Sequence, residues 1–283
     1  MGQQQIDAPL LIDRYRPQRL LARGGSSLVF VALDENLGRE VALKLFASGR
    51  EEYEARFRAE LRVLANLRHH GVVSILDAGM DHSAPDDPRP FLVMELADGD
   101  TLRTSMESRT MSHRSIGEIG FEVAEALEYV HARGVIHRDI TPTNIMIVDY
   151  RTRFSRPRAQ LTDFGIALDS STQQESDRTI GTAAYLSPEQ AVNDPLTPAS
   201  DIYSLGLVLL ECFTGVRAFP GGALATAVQR LDADPEIPST VPKKWRPLLR
   251  EMTDRNPAAR PTAADVTGAA REALRAMGDR DKS

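Results

Sequence analysis

The stretch VIHRDITPTNIMIVDY, residues 135–150, decides the fold, and LTDFG follows it at residues 161–165. Two apolar runs, Val135-Ile136 and residues 145–148, have the composition of short β-strands and enclose a polar loop. Functional side chains are concentrated in loops that regular elements hold in place. The sequence therefore predicts a functional loop between two strands.

Three oxygen-bearing side chains mark this loop and the segment that follows it. Asp139 and Asn144 are an acid and an amide five residues apart, and Asp163 precedes a phenylalanine and a glycine. Carboxylate and amide oxygens are suited to accepting a hydroxyl proton and to holding divalent cations on phosphate groups. The pattern therefore favours phosphoryl transfer.

The run HRDITPTN, residues 137–144, resembles the catalytic loop of protein kinases, HRDLKPEN in its usual form, and DFG resembles the element that follows it. Further matches extend the resemblance from about residue 15 to about residue 266, and the chain most resembles bacterial, actinobacterial-type Ser/Thr protein kinases. The resemblance implies an α+β, two-lobed protein-kinase-like fold with a small antiparallel-sheet N-lobe, one helix in that lobe, and a larger, mainly helical C-lobe. The implied boundaries are a tail at 1–14, the N-lobe with hinge at 15–97, the C-lobe at 98–277 and a tail at 278–283.

The N-terminal part shows two alternating apolar runs, residues 28–33 and 40–46, joined by a turn at Gly38. This alternation predicts an antiparallel hairpin. Lys44 lies in the second strand on the face that carries Ala42, so we expect it either to meet an anion or to extend to water as an edge lysine.

A helix is predicted over residues 51–68 because Phe57, Leu61, Leu64 and Leu67 recur at helical spacing. Glu60 lies on this apolar stripe, where a carboxylate is costly unless it is paired. The kinase resemblance implies a Lys44–Glu60 ion pair, and the alternative is Glu60 at the rim of the stripe facing water.

The resemblance also implies a nucleotide site. The segment before the hairpin resembles the Gly-rich loop GxGxxGxV, but Gly24 alone falls on the pattern, since Ala22 and Ser27 occupy the outer positions. Residues 94–97 resemble the gatekeeper and hinge. The residues implied to bind ATP between the lobes are Leu21, Gly24, Gly25, Val29, Ala42, Lys44, Met94, Glu95, Ala97 and Met146.

The resemblance assigns catalytic roles residue by residue. Asp139 is expected to accept or orient the substrate hydroxyl, and Asn144 and Asp163 are expected to hold Mg²⁺, with Mn²⁺ as a second suitable ion. Lys44 and Glu60 complete the implied catalytic set, whereas His137 is expected to support the loop. Thr141 stands where Ser/Thr kinases usually have lysine, so we expect a rate about 10- to 100-fold lower and a gain on Thr141→Lys.

Residues 163–189 form a polar stretch without periodicity, typical of a loop that phosphorylation orders. Ser176 or Thr179 is the predicted autophosphorylation site, with Arg138 as the cation that pairs with the phosphate. By the resemblance, Thr182 favours Ser and Thr over Tyr substrates.

The C-terminal part contains structural signals. Ser112 and Gly134 are the predicted N-cap and C-terminal stop of a helix whose apolar residues recur at helical spacing. The resemblance pairs Glu189 with Arg260, and Asp201 is expected to cap and anchor an apolar helix at 202–213.

Two further features have plain interpretations. His69, His70 and His82 show no ligand spacing with a carboxylate, so they are expected to be solvated or to cap. The basic insert at residues 149–159 fits a solvated hairpin tip, and a docking patch for an acidic partner is the alternative.

Composition limits the function further. Lys plus Arg 34 against Asp plus Glu 40 gives a net charge of -6, so nucleic acid is not the expected partner. No uninterrupted apolar run approaches 18 residues, so we expect no membrane segment in this chain and a cytoplasmic location, whether alone or as the cytoplasmic domain of a longer membrane-anchored protein.

The sequence thus favours an ATP- and Mg²⁺-dependent Ser/Thr protein kinase that acts on protein substrates, regulated by activation-loop autophosphorylation, with a kinase homodimer as a possible arrangement for transfer in trans. The alternatives are a pseudokinase that serves as a nucleotide-binding scaffold and a small-molecule phosphotransferase.

Overall fold

A computed structural model of the chain describes residues 10–24, 27–47, 61–83, 88–153, 155–164 and 183–278. Their contacts divide them into two compact units. Unit 1 contains the described residues up to 68 and those within 73–97, and unit 2 contains residues 69–72, 98–153, 155–164 and 183–278.

Unit 1 is built on a five-stranded antiparallel sheet in the order β1-β2-β3-β5-β4. The predicted hairpin is confirmed: β2 pairs with β3, and Gly38 in the turn has φ +61°, a backbone conformation that glycine adopts without strain. The strands are β1 Tyr15–Arg23, β2 Ser27–Asp34, β3 Arg39–Phe46, β4 Ile75–Asp81 and β5 Arg89–Met94.

The core of unit 1 lies on one face of this sheet. Val41, Leu43 and Leu45 alternate along β3 and pack with Phe91 and Val93 of β5. Each such side chain, when fully buried, contributes about 1.5–3 kcal/mol of transfer free energy. Residues 42, 44 and 46 therefore point to the other face.

The helix predicted in unit 1 is seen in part. Residues 61–64 are helical, and Leu64 and Leu67 are buried as the apolar stripe predicts. Residues 51–60 of the predicted helix lie outside the described residues.

Unit 2 is mainly helical, which confirms the predicted fold class. It also contains a three-stranded antiparallel sheet in the order β6-β7-β8 and a short 3-10 helix, Pro257–Ala259. The strands are β6 Gly99–Thr101, β7 Ile145–Val148 and β8 Arg158–Leu161, and the helices are α1 Leu102–Ser108, α2 His113–His131, α3 Pro188–Ala191, α4 Pro198–Thr214, α5 Ala223–Asp232, α6 Trp245–Met252 and α7 Ala263–Gly278.

Helices α2 and α4 form the centre of unit 2. Ser112 caps α2 by accepting a hydrogen bond from the backbone N–H of Ser115, and Gly134 follows the helix with φ +72°, so both predicted ends are confirmed. Helix α4 is buried along almost its whole length and packs against α2 and α6. The segment that carries Asp139 follows directly from α2.

One predicted strand is wrong: residues 135–140 belong to no strand. Their backbone donors have other acceptors, because Val135 N–H bonds to the carbonyl of Val130, and the N–H groups of His137 and Arg138 bond to the carboxylate of Asp201. A segment whose donors are already used in this way does not join a strand ladder.

His70 and His82 are exposed, as expected of solvated side chains, whereas His69 is half-buried, and two of the histidines make contacts that the sequence did not predict. His69 stacks on the ring of Tyr129 at 4.9 Å between centroids, and His70 Nε2 lies 3.1 Å from Glu125 Oε2. The sequence separation of more than 50 residues hides these contacts from any local pattern.

Within the part of the chain that the structure describes, no helix has both the length and the apolar character needed to cross a bilayer.

Candidate active site

The loop that carries Asp139 is held by one buried carboxylate. Asp201, 1% exposed, accepts hydrogen bonds from the backbone N–H groups of His137 and Arg138, both at 2.8 Å. His131 Nε2 also lies 2.8 Å from Asp201 Oδ2. Asp201 was expected to cap a helix, but α4 begins at Pro198 with Thr197 as N-cap, and Asp201 in its first turn anchors the loop instead.

The backbone of Arg138 is strained, and hydrogen bonds at its N–H and at its carbonyl hold it in place. Its φ is +70°, in the left-handed region that side-chain-bearing residues seldom adopt. While Asp201 holds its N–H, its carbonyl accepts a hydrogen bond from Gln190 Nε2 at 2.7 Å. Such strain persists where the surrounding structure fixes it, and here α3 and α4 do so.

Asp139 and Asn144 are brought together directly. Asn144 Nδ2 donates to the carbonyl of Asp139 at 2.9 Å and to its carboxylate Oδ2 at 2.8 Å. The carbonyl of Asn144 accepts the N–H of Thr162 at 3.0 Å, which joins the segment of Asp163 to the loop. Asp163 itself has φ +57°. Three of the predicted site residues thus share one hydrogen-bonded framework in unit 2.

His137 is fully buried and supports this framework. Its Nε2 lies 3.0 Å from the carbonyl of Thr162, so it carries the proton and donates, while Nδ1 faces the N–H of Asp139 at 3.4 Å. Burial lowers the pKa of His137 below its usual 6.5, although the neighbouring carboxylates of Asp201 and Asp139 oppose the shift. The neutral ring therefore fits a structural role.

Thr141 occupies the position where the resemblance expects lysine. Its side chain is 3% exposed, and its hydroxyl is hydrogen-bonded to that of Thr143 at 2.8 Å. The two threonines thus place a pair of neutral hydroxyls at this point of the loop.

Glu189 and Arg260 form the predicted buried pair, with two bonds of 2.7 and 2.9 Å. Ser200 donates a third hydrogen bond to the carboxylate at 2.7 Å. Burial alone would raise the pKa of Glu189, but the hydrogen bonds from Arg260 and Ser200 lower it below its usual value. The pair fixes the start of α3 against the loop that precedes α7.

Two buried polar clusters at residues 183–187 were not predicted. Tyr185 and Arg103 both bond to the carboxylate of Glu211 in α4, with 2.9 Å between Arg103 Nη1 and Glu211 Oε1. Arg230 of α5, 0% exposed, donates to the carbonyls of Ala183, at 2.6 Å, and of Leu186. One feature of the sequence could have indicated these clusters. Glu211 and Arg230 are charged residues among apolar neighbours in their helices, and a charged side chain that is buried requires a partner.

In unit 1, the predicted residues of β2, β3 and β5 share one face. Val29 pairs with Lys44, Ala42 pairs with Met94, and Lys44 and Ala42 are two residues apart on one strand. Lys44 Nζ lies 5.4 Å from the centroid of the Phe46 ring on that face. Ala42 and Met94 are buried, and Val29 is half-buried.

The remaining predicted nucleotide residues are placed as follows. Gly24 N–H bonds to the carbonyl of Ser27 at 2.8 Å in the turn between β1 and β2. Leu21 and Glu95 are exposed and Ala97 is half-buried, and Met146 lies half-buried on β7 of unit 2. Gly25 and Glu60 lie outside the described residues, so the Lys44–Glu60 pair stays a prediction.

The phosphorylation sites predicted at Ser176 and Thr179 also lie outside the described residues, as does Thr182.

The basic insert is described in part: Arg156 and Arg158 both bind Glu122 of α2 at 2.9 Å. The insert joins the antiparallel strands β7 and β8, and its residues 149–153 are exposed, so the interpretation as a solvated hairpin tip is confirmed. The two arginines in addition anchor this hairpin to α2.

Comparison with known proteins agrees with this geometry. A family model described as "Protein kinase domain" matches residues 15–270. Serine/threonine-protein kinase PknA of Mycobacterium tuberculosis is 38% identical over 258 residues, covering 88% of this chain and 58% of that protein. Serine/threonine-protein kinase PknL of the same species is 38% identical over 280 residues, covering 95% and 67%. The probable serine/threonine-protein kinase PknB of Bifidobacterium longum is 38% identical over 249 residues, covering 82% and 35%.

Proposed function

Because the chain belongs to the protein kinase family, we propose that it is a serine/threonine kinase domain that uses ATP and Mg²⁺ to phosphorylate protein hydroxyls. The chain spans 58% of the length of the PknA it resembles, so the proposal concerns this domain. The observation that carries it is the hydrogen bond from Asn144 to the Asp139 carboxylate, next to the segment of Asp163.

In this proposal the unit 2 residues divide the chemistry between them. Asp139 accepts or orients the proton of the attacking hydroxyl, and Asn144 holds its carboxylate in position. Since both hydrogen bonds of Asn144 Nδ2 go to Asp139, the amide oxygen Oδ1 remains as a ligand atom. With the carboxylate of Asp163 it forms the oxygen donor set that Mg²⁺ prefers, and Mn²⁺ accepts the same donors. Bound Mg²⁺ would neutralise phosphate charge.

The proposal assigns nucleotide binding to the shared strand face of unit 1. Val29, Ala42 and Met94 offer apolar contacts to the adenine, and the backbone at Glu95 and Ala97 offers hydrogen bonds to its edge. Lys44, paired with Glu60, would meet the α- and β-phosphates. The support is the strand register, which places Lys44 on the same face as Ala42.

The test compares the wild type with Asp139→Asn, using labelled ATP, Mg²⁺ and a generic protein substrate. Asp232→Asn, which changes an exposed carboxyl at the end of α5, is the matched control. We expect Asp139→Asn to lose at least ~10²-fold in transfer while it still binds nucleotide, and the control to keep full activity. Equal transfer by the wild type and Asp139→Asn would refute the assigned role.

A pseudokinase is the second candidate function. Thr141 and the residues Ala22 and Ser27, which replace the outer glycines, favour it. Nucleotide binding by the wild type with no transfer to protein would support the scaffold. Transfer to small hydroxyl compounds but not to protein would support a small-molecule phosphotransferase.

We further propose activation by autophosphorylation at Ser176 or Thr179, with Arg138 as the cation that pairs with the phosphate. Its position directly before Asp139 supports this role. Phosphosite mapping after incubation with ATP tests it, with Ser176→Ala and Thr179→Ala as variants. Phosphorylation of Asp139→Asn chains when they are mixed with the wild type would indicate transfer in trans, as a homodimer arrangement requires, and labelling confined to the wild-type chains would exclude it.

A further inference from the structure

Residues 69–72, here called the histidine loop, are fixed against the small sheet of unit 2. The carbonyl of Gly71 accepts the N–H of Leu161 at 2.8 Å, and the carbonyl of His70 accepts Gln160 Nε2 at 2.9 Å. Both partners belong to β8, and Val72 forms a parallel bridge with Leu161. The backbone that carries the two histidines is therefore held in one place.

The histidine loop also lies directly on helix α2. A Cβ atom added at Gly71 would come within 3.0 Å of the Ala126 side chain and 3.2 Å of His69 Nδ1. A larger residue would push the loop away from the helix. The glycine thus permits the close approach that brings the histidines to Glu125 and Tyr129.

The side chains at this contact form an ordered stack. The ring of His69 packs on Tyr129 at 4.9 Å with 23° between planes, and the Arg133 guanidinium lies over Tyr129 at 3.7 Å. The His70 ring is 4.3 Å from that of His69, and its Nε2 is 3.1 Å from Glu125 Oε2. The protein therefore orients both imidazoles beside the carboxylate.

The geometry points to a binding site for Zn²⁺, or another late first-row divalent ion, formed by His69, His70 and Glu125. One donor atom from each residue lies within 4.8 Å of the others. Two imidazole nitrogens and one carboxylate oxygen are the ligands such ions take, with water at the fourth position. Mg²⁺ and Ca²⁺ prefer oxygen ligands and do not fit this set.

Binding requires a small rearrangement. Zn²⁺ takes nitrogen and oxygen ligands at about 2.0–2.2 Å, so two donors on one tetrahedral ion lie roughly 3.3 Å apart. His70 and Glu125 already match this separation at 3.1 Å, and the exposed ring of His70 has room to turn. His69 Nδ1 accepts the N–H of Gly71 at 3.1 Å, so an ion at that nitrogen replaces a hydrogen bond. With the Arg133 cation nearby, we expect a micromolar rather than a nanomolar Kd.

The ion would join the histidine loop to helix α2. Because the unfolded chain lacks this arrangement, the ion would stabilise the folded protein by mass action. At a hundredfold excess over Kd we expect Tm to rise by about 5–10 °C. This function is separate from phosphoryl transfer, since Asp139, Asn144 and Asp163 take no part in it.

The test titrates zinc alone into tag-free, nucleotide-free and Mg²⁺-free protein in competition with a chromophoric chelator. We expect one equivalent of Zn²⁺ per chain in the wild type, and at least ~10-fold weaker binding in both His70→Ala and Glu125→Gln, since loss of even an outer-shell partner of a metal ligand costs about 10- to 100-fold in affinity. His82→Ala, which removes an exposed histidine outside the cluster, is the matched control and should bind as the wild type does.

The Asp163→Asn variant distinguishes this site from the proposed Mg²⁺ site, and it should bind zinc as the wild type does. Binding that survives both His70→Ala and Glu125→Gln, or that is lost in Asp163→Asn, overturns the proposal, as does the absence of a stoichiometric site. Circular dichroism and Tm without zinc check that each variant is folded. Since Glu125→Gln keeps the shape of the side chain, it decides the outcome if His70→Ala unfolds.

Discussion

Replacing Asp201 by asparagine should loosen the loop that carries Asp139. Asp201 Oδ1 accepts the N–H of Arg138, and Oδ2 accepts that of His137 and faces His131 Nε2, each at 2.8 Å. An asparagine keeps one acceptor oxygen, so its NH₂ group must face one of these donors. The variant therefore loses at least one charge-assisted hydrogen bond in a site that is 1% exposed.

The loss of one such bond costs ~1.5–3 kcal/mol of unfolding free energy. For a domain of this size that corresponds to a decrease in Tm of about 3–12 °C. The effect on turnover should be larger, since a displacement of about 1 Å at a catalytic group lowers a rate by roughly 10²-fold. Asp201→Ala removes both acceptor oxygens and should be the less stable variant.

Urea unfolding and the phosphotransfer assay measure the two effects on the same samples. Asp194→Asn, an exposed acid in the loop before α4, is the matched control. Wild-type stability and turnover in Asp201→Asn would refute the reasoning. A stable variant with reduced turnover would show that the carboxylate positions the loop without contributing to folding.

Three further outcomes follow from the site. Thr141→Lys should raise turnover by at least ~10-fold, with Thr143→Lys as the control for added charge; unchanged turnover would mean that another group performs the lysine's task. Arg260→Gln leaves the buried carboxylate of Glu189 without its partner and should cost ~3–5 kcal/mol in urea unfolding, and a loss below ~1 kcal/mol would contradict a structural role for the pair. His137 should titrate by NMR well below 6.5, because burial disfavours its charged form. The unfolded chain then binds more protons than the folded one as pH falls below 6.5, so this residue should reduce stability towards acid; a ring that titrates normally would exclude the effect.

Local periodicity predicted the first hairpin and the helix before residue 135, although the short strand expected at residues 135–136 does not form. The alternation of β3 placed Lys44 on the face of Ala42, and Ser112 and Gly134 marked the limits of the helix before the catalytic loop. These patterns extend over only a few residues. Over that distance the repeat of the helix or strand determines which side chains lie on the same face.

The contacts that fix the loop could not be predicted in this way. Asp201 and His137 are 64 residues apart, and Gln190 reaches Arg138 across 52 residues. Residues 135–136 have the composition of a strand, but their neighbours' donors are taken by a distant carboxylate. His70 and Glu125 likewise meet because Gly71 lets two separate segments approach each other. The spacing of the two residues along the sequence gives no indication of this contact.

The burial of Arg230 has a consequence for how the protein opens. Thr226 and Arg230 are the buried residues of α5, so little apolar packing retains this helix. Its guanidinium is nevertheless bound to carbonyls of residues 183 and 186, and the helix cannot detach without leaving those carbonyls unsatisfied. In hydrogen–deuterium exchange, the amides of α5 and of residues 183–187 should consequently become labelled together, as one cooperative segment.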